Sequence, residues 1–85
     1  MTESITFRSL EQFLGGLGCQ SRSVPGSHVA FEHPPSRALI VLRPYREDEV
    51  VTPTDLAIAR RVLDEFGVVA RDRFDTLLRE RALAG

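Results

Sequence analysis

The sequence has no lysine and no tryptophan, and it has only one cysteine among its 85 residues. Cys19 therefore cannot close a disulfide within the chain or supply the several thiolates of a zinc site. We expect it to be a small, buried core residue. No apolar run approaches the ~20 residues that span a bilayer, and the N-terminus lacks the basic, then apolar pattern of a signal peptide. We therefore expect a cytoplasmic chain that does not bind membranes.

The charge of the chain is nearly balanced, with eleven arginines, twelve acids and a net charge of −1. Residues 1–46 contain five arginines against three acids, whereas the remainder contains nine acids and six arginines. A domain that binds nucleic acid tightly by charge alone is normally basic. The balance therefore argues against tight autonomous binding of nucleic acid, and we expect no binding of DNA by this chain alone.

The hydrophobic pattern predicts a single α+β domain over residues 1–85, with the order helix, three strands, helix, helix. Apolar residues at helical spacing predict the first helix between Thr6 and Leu17. From residue 19 to 42 the pattern changes to three short extended runs, which Pro25-Gly26 and His33-Pro34-Pro35-Ser36 separate. Three such runs are typical of an antiparallel meander.

The second and third runs differ in their patterns. In the second, Val29 and Phe31 are expected to face the core, which leaves His28 on the opposite face because side chains alternate along a strand. The third run, residues 38–42, is apolar on both faces. That pattern fits either a central strand or a strand whose outer face is covered by something else, for which a partner protein is one candidate.

The second helix has the best-marked start in the chain. Thr52 offers an N-cap, Pro53 suits the first helical position, and Asp55 is an acid three residues after the cap. We expect Gly67 to end this helix. Its predicted buried stripe is Leu56, Ala59, Val62, Leu63 and Phe66. A last helix is indicated by Phe74, Leu77 and Leu78, with Asp72 in its first turn.

Few residues could carry chemistry. The sequence has no glycine-rich phosphate loop, no metal-ligand cluster and no Ser/His/Asp array, so we expect neither a metal nor a cofactor. His28 follows a turn at 25–27, and an exposed imidazole can act as a general base or acid near neutral pH. The alternative is that His28 has no catalytic role and is simply a polar residue on a solvated sheet face. His33 precedes Pro34 and is expected to be a turn residue.

The stretch from Leu10 to Leu63 resembles the HicA, or YcfA-like, family of toxin ribonucleases. The resemblance depends on a first helix that ends in a Leu-Gly element, on Gly26-Ser27-His28 with Phe31 after it, and on His33-Pro34. A hydrophobic strand, a proline-containing loop and a helix that begins near residue 53 follow in the family's order.

The resemblance implies a fold like the double-stranded-RNA-binding domain, α-β-β-β-α, with a three-stranded antiparallel sheet and helices on one face. Here an extra C-terminal helix follows. It also implies a metal-independent endoribonuclease that cleaves mRNA, with His28 as the catalytic general base and a HicB-type antitoxin as the partner. The candidate RNA-binding residues are Gly26, Ser27, Arg22, Arg37 and Arg43.

The sequence departs from many HicA relatives at two places. Val29 stands where many relatives have a second histidine, and the loop after the third strand is acidic at Glu47-Asp48-Glu49. Two alternatives therefore stay open beside the ribonuclease. One is a protein-binding module on the same fold, and the other is a domain that binds RNA without cleaving it.

Overall fold

A computed structural model describes residues 5–24 and 28–84 of the chain. Its elements follow the predicted order of helix, three strands and two helices, so the predicted α+β class is confirmed. The elements are α1 (Phe7–Gly16), β1 (Gln20–Val24), β2 (His28–His33), β3 (Ala38–Leu42), α2 (Pro53–Glu65) and α3 (Arg71–Ala84).

Both ends of α1 are fixed by local hydrogen bonds. The Ser9 N–H donates to the Thr6 hydroxyl oxygen at 3.3 Å, which makes Thr6 the N-cap. At the other end, Gly18 has a φ of 97°, and the Cys19 N–H donates to the Leu14 carbonyl at 3.0 Å. This is the Schellman arrangement, in which glycine supplies the left-handed residue that turns the chain away from the helix. The chain therefore enters β1 directly after the helix.

The sheet is antiparallel throughout and has the order β1-β2-β3. Phe31, at the centre of β2, pairs with Ser21 of β1 and with Ile40 of β3. Because β3 lies at an edge of the described sheet, the first of the two alternatives, a central strand, is wrong. The second, an outer face that something else covers, stays a prediction. The outer side chains of β3, Leu39 and Val41, are 46% and 45% exposed.

The helices pack on the sheet face that carries Phe31, Ile40 and Leu42. The ring of Phe13 on α1 meets that of Phe74 on α3 edge to face, with centroids 5.6 Å apart. The largest fully buried side chains are Phe31, Phe74, Leu10, Leu14, Ile40, Leu42, Leu63 and Val51. Within the described residues, no helix combines the length and the apolar character that crossing a membrane requires.

The buried stripe of α2 is shorter than predicted. Ala59 and Leu63 are buried, whereas Phe66 is 49% exposed and was wrongly assigned to the core. The helix ends at residue 65, and Gly67, with a φ of 73°, turns the chain. Val69 then fills the apolar position beyond the helix end, because it is 6% exposed and belongs to the core.

Cys19 packs against the core as a half-buried residue rather than a fully buried one. Burial raises the pKa of its thiol, because removal from water disfavours the thiolate. A thiol whose thiolate is disfavoured is a poor nucleophile. Cys19 is therefore a packing residue in this fold.

Candidate functional site on the open sheet face

The helices leave one face of the sheet uncovered within the described part of the chain. Its residues alternate with those that enter the core, since successive side chains of a strand point to opposite faces. We name this surface the open face. By register, it carries Gln20, Arg22, His28, Ala30, Glu32, Leu39 and Val41. All the sequence candidates that lie within strands, His28 and Arg22, belong to it.

His28 is the first residue of β2 and is exposed. It pairs in the ladder with residue 24, at the end of the sheet where residues 25–27 connect β1 to β2 in the sequence. No hydrogen bond or ion pair joins its side chain to another described residue. Within the described part of the chain both ring nitrogen atoms therefore have no partner, and the exposed imidazole can exchange a proton with a substrate.

His33, the second histidine, faces the other way and is held by two partners. Its Nε2 lies 3.0 Å from the Leu17 carbonyl oxygen, and its Nδ1 lies 2.7 Å from the Ser36 hydroxyl. Because a carbonyl oxygen only accepts, Nε2 must donate the proton, and in the neutral ring Nδ1 accepts from Ser36. His33 therefore joins the β2–β3 turn to the end of α1, and it serves structure rather than chemistry.

Arg22 of β1 lies on the open face but is directed away from His28. Its guanidinium forms an ion pair with Glu32 at 3.4 Å, with 61% and 38% of the two side chains exposed. In the register Arg22 is opposite Ala30, so His28 and Glu32 lie on opposite sides of it along β2. Exposed ion pairs contribute only about 0–1 kcal/mol, so Arg22 can exchange Glu32 for another anion at little cost.

Arg43 lies at the His28 end of the sheet. It follows Leu42, which pairs with Val29, so the register brings Arg43 beside the first residue of β2. Its Nε is 3.4 Å from Oδ2 of Asp55, at the start of α2. The Arg43 side chain is still 60% exposed. Arg43 is therefore held by its ion pair with Asp55, while most of its side chain is exposed to water.

Asp55 is a buried acid that the sequence analysis assigned only to the first turn of α2. Its N–H donates to the Thr52 hydroxyl oxygen at 3.2 Å, which confirms Thr52 as the N-cap. Its carboxylate accepts a 2.6 Å hydrogen bond from the Tyr45 hydroxyl. The pattern of Thr52 with an acid three residues later predicted the cap, but no pattern in the sequence indicated the contact of Asp55 with Tyr45.

The fold does not bring Arg37 close to the other candidate site residues. It lies in the turn between β2 and β3, with a φ of 67°. His28 and His33 are five residues apart along β2, which corresponds to about 17 Å at ~3.3 Å per residue. Arg37 therefore lies at the opposite end of the sheet from His28. Gly26 and Ser27 lie outside the described residues.

The acidic loop after β3 is held against α1. The Phe7 N–H donates to the Glu49 carbonyl at 2.8 Å, and the Arg8 N–H donates to the Glu47 carbonyl at 3.0 Å. An ion pair of 3.1 Å between the Arg8 guanidinium and the Glu47 carboxylate adds to these bonds. These contacts satisfy the first-turn N–H groups of α1 with protein carbonyls. They therefore attach residues 47–49 to the start of α1.

Two other features of the described residues concern possible binding sites. No group of three or more histidine, cysteine or acidic side chains in that part of the chain could hold a metal ion. A groove of about 340 Å³ lies between α1 and α3 and contains none of the candidate residues. Its lining residues are Phe13, Gly16, Leu17, Leu77, Glu80 and Arg81.

Comparisons with known proteins found no match among family models, curated proteins or solved structures. Functional inference for this chain therefore depends on two observations. One is the motif around His28 in the sequence, and the other is the arrangement of side chains on the open face.

Proposed function

We propose that the chain is a HicA-type toxin, a metal-independent endoribonuclease that cleaves mRNA with His28 as general base. The observation that carries the proposal is the exposed imidazole of His28 at the end of the open face, without a partner among the described residues. The order of helix, three-stranded antiparallel sheet and helices also agrees with the fold that the resemblance implies.

The chemistry needs one proton acceptor and stabilisation of negative charge. His28 takes the proton from a ribose 2′-hydroxyl, whose oxygen then forms a bond to the adjacent phosphorus while the bond from phosphorus to the 5′-oxygen breaks. The departing 5′-oxygen takes a proton from water or from the imidazolium. The products are a 2′,3′-cyclic phosphate and a 5′-hydroxyl. Cationic groups beside the phosphorus stabilise the charge of the transition state.

Arg43, at the His28 end of the sheet, supports this role best, and Arg22 is a second cation of the open face for the RNA backbone. Both have exposed side chains in ion pairs of 3.4 Å. A phosphate can replace Glu32 at Arg22 at a cost of about 1 kcal/mol or less, because that pair is exposed. Arg43 keeps its pair with the buried Asp55 and meets a phosphate with the rest of its exposed side chain. Arg37, at the far end of the sheet, contacts the RNA backbone beyond the reacting nucleotide in this proposal. Gly26 and Ser27, which directly precede His28 in the sequence, complete the proposed RNA-binding set.

The partner and the location belong to the same proposal. A HicB-type antitoxin neutralises the toxin, and the pair acts in the cytoplasm, where mRNA is available. The chain needs neither metal nor cofactor in this mechanism, because the imidazole and the guanidinium groups supply the proton transfer and the charge.

A second candidate is a module on the same fold that binds RNA or protein without cleaving RNA. Ion pairing favours this second candidate, because six of the described arginines lie within 4 Å of a carboxylate oxygen. They are Arg8, Arg22, Arg43, Arg46, Arg60 and Arg61. Positive charge neutralised in this way attracts RNA less strongly. The exposed apolar pair Leu39 and Val41 also favours contact with a protein.

The decisive experiment measures RNA cleavage by the purified chain in the presence of a chelator. His28→Ala should abolish cleavage, whereas Gln20→Ala, an equally exposed change on the same face, should retain it. Products should carry 2′,3′-cyclic phosphate ends. Equal cleavage by the wild type and by His28→Ala would contradict the assignment of His28. Salt-sensitive RNA binding without cleavage products, by both proteins, would favour the second candidate.

A further inference from the structure

The two edges of the sheet differ in chemistry. The β1 edge is polar, with the sequence Gln-Ser-Arg-Ser-Val, whereas the β3 edge reads Ala-Leu-Ile-Val-Leu. Natural sheets protect free edges with charged residues, proline or bulges. β3 contains no charge or proline, and its pairing with β2 runs without a bulge from Ala38 to Leu42. β3 is therefore an unprotected edge.

This edge is accessible on the open face. Leu39 and Val41 are 46% and 45% exposed beside it. Among the described residues, no backbone hydrogen bond apart from the sheet ladder joins residues 39–42 to another part of the chain. α2 packs against β3 through the buried Ala59 and Leu63, which belong to the core face. The outward N–H and C=O groups of β3 can therefore pair with a further strand.

Charges at both ends of β3 indicate which residues a strand that pairs with this edge should contain. Arg37 immediately precedes β3 and Arg43 immediately follows it, and both are exposed. A second copy that pairs antiparallel about Ile40 puts Arg37 of one copy opposite Arg43 of the other, at both ends. Like charges directly opposite are unfavourable in a sheet. A strand with an apolar centre and an acidic residue at each end meets both arginines with opposite charge.

We propose that the β3 edge binds an extended segment of a partner protein, apolar at its centre and acidic at both ends, as a fourth strand. The backbone groups of β3 supply the hydrogen bonds, and Leu39 and Val41 supply the apolar contact on the open face. The binding itself does not depend on catalysis. If the proposed function also holds, the bound strand brings an acidic residue to the His28 end of the sheet and excludes phosphate from Arg43.

The test titrates the isotope-labelled full chain with a synthetic peptide and follows the amide signals by NMR. The probe alternates valine and threonine over five central residues and has two aspartates at each end. Chemical-shift changes should concentrate in residues 38–43, and amides of β3 should exchange more slowly with solvent. A peptide with lysines in place of the aspartates should bind at least about fivefold more weakly, because each ion pair becomes a repulsion.

Two sets of variants locate the binding surface. The double variant Leu39→Thr, Val41→Thr keeps strand propensity and charge but removes the apolar contact, and it should weaken binding at least about threefold. Gln20→Thr, on the same face at the other edge, should leave the affinity unchanged. Arg37→Glu with Arg43→Glu should reverse the preference, so that the lysine-ended peptide binds better.

Several results would overturn the proposal. Equal binding of both peptides, absence of binding at millimolar concentration, or shift changes centred on β1 would each do so. Self-association of the chain in sedimentation velocity that disappears in the Leu39→Thr, Val41→Thr variant would assign the edge to a second copy instead. RNA cleavage is assayed separately with the same preparations, so loss of the ribonuclease proposal and loss of the strand-binding proposal are distinguishable.

Discussion

The Tyr45 hydroxyl donates a 2.6 Å hydrogen bond to Oδ2 of Asp55, the one buried charged residue in the described part of the chain. The same hydroxyl oxygen accepts a hydrogen bond of 3.1 Å from the Thr52 N–H. In a capping box the acid three residues after the cap makes that second contact itself. Here the Tyr45 hydroxyl bonds to both the Thr52 N–H and the Asp55 carboxylate. Tyr45 therefore joins the loop after β3 to the start of α2.

Replacement of Tyr45 by phenylalanine should lower the free energy of unfolding by about 1–3 kcal/mol, because a buried carboxylate loses its donor. The stacking of the ring on Phe7, with centroids 5.6 Å apart, remains in the variant. Urea denaturation measures the change. A double-mutant cycle of Tyr45→Phe with Asp55→Ala, which removes the acceptor, should give a coupling of at least about 0.5 kcal/mol. A coupling near zero would show that the bond contributes nothing.

Replacement by alanine should destabilise the chain at His33 and have little effect on stability at His28. His33→Ala removes contacts of 2.7 Å to Ser36 and 3.0 Å to the Leu17 carbonyl, and it should cost about 1–3 kcal/mol of stability. His28→Ala removes an exposed side chain without a described partner, and it should change stability by less than about 0.5 kcal/mol. Thermal or urea unfolding of both variants provides the comparison.

This contrast also controls the cleavage experiment. Because His28→Ala should fold as well as the wild type, a loss of RNA cleavage in that variant reports chemistry rather than unfolding. A His28→Ala protein that unfolds at much lower urea concentration would contradict the placement of His28 on an exposed face, and the activity comparison would then have to use His28→Gln.

Much of the fold could be predicted because local signals determine it. Thr6 and Thr52 mark helix starts through their own hydroxyls, and Gly18 and Gly67 supply the left-handed residues after two helix ends. These signals act within a few residues of where they occur. Phe66 was misassigned because spacing along a helix does not show where the helix leaves the core, and that boundary depends on packing.

The candidate site could be predicted only in part. The alternation of Val29 and Phe31 was sufficient to predict that His28 faces away from the core. The partners of Arg22 and Arg43 could not be predicted, because ion pairs across strands and between β3 and α2 depend on register and tertiary packing. The distant position of Arg37 could have been predicted, because successive connections of an antiparallel meander lie at opposite ends of the sheet.

Two glycine-to-alanine changes should have opposite effects on stability. A Cβ at Gly15 or at Gly67 meets no atom within 4 Å, so packing is unchanged in both cases. Gly15 lies inside α1, where alanine should stabilise the chain by about 0.5–1 kcal/mol. Gly67 has a φ of 73°, where alanine should destabilise it by about 1–2 kcal/mol. Melting temperatures that shift in the same direction would contradict the assigned backbone at one of the two sites.

Glu32→Gln tests whether Arg22 is available to RNA. The change removes the carboxylate that holds Arg22 at 3.4 Å and leaves one uncompensated positive charge on the open face. If Arg22 contacts phosphate, RNA affinity should rise about two- to fivefold, because the arginine no longer exchanges one anion for another. Fluorescence anisotropy with a labelled RNA at several salt concentrations measures the affinity, and the salt dependence should become steeper.

The matched control is Glu65→Gln, which removes the same charge from a pair with Arg61 on α2, 3.6 Å apart. Both variants raise the net charge by one unit, so a general electrostatic effect raises affinity equally in both. A larger gain for Glu32→Gln, lost again when Arg22→Ala is added, assigns the contact to Arg22. Equal gains would remove Arg22 from the RNA-binding set, and the cations beside the reacting phosphate would then have to include Arg43, because it lies at the same end of the sheet as His28.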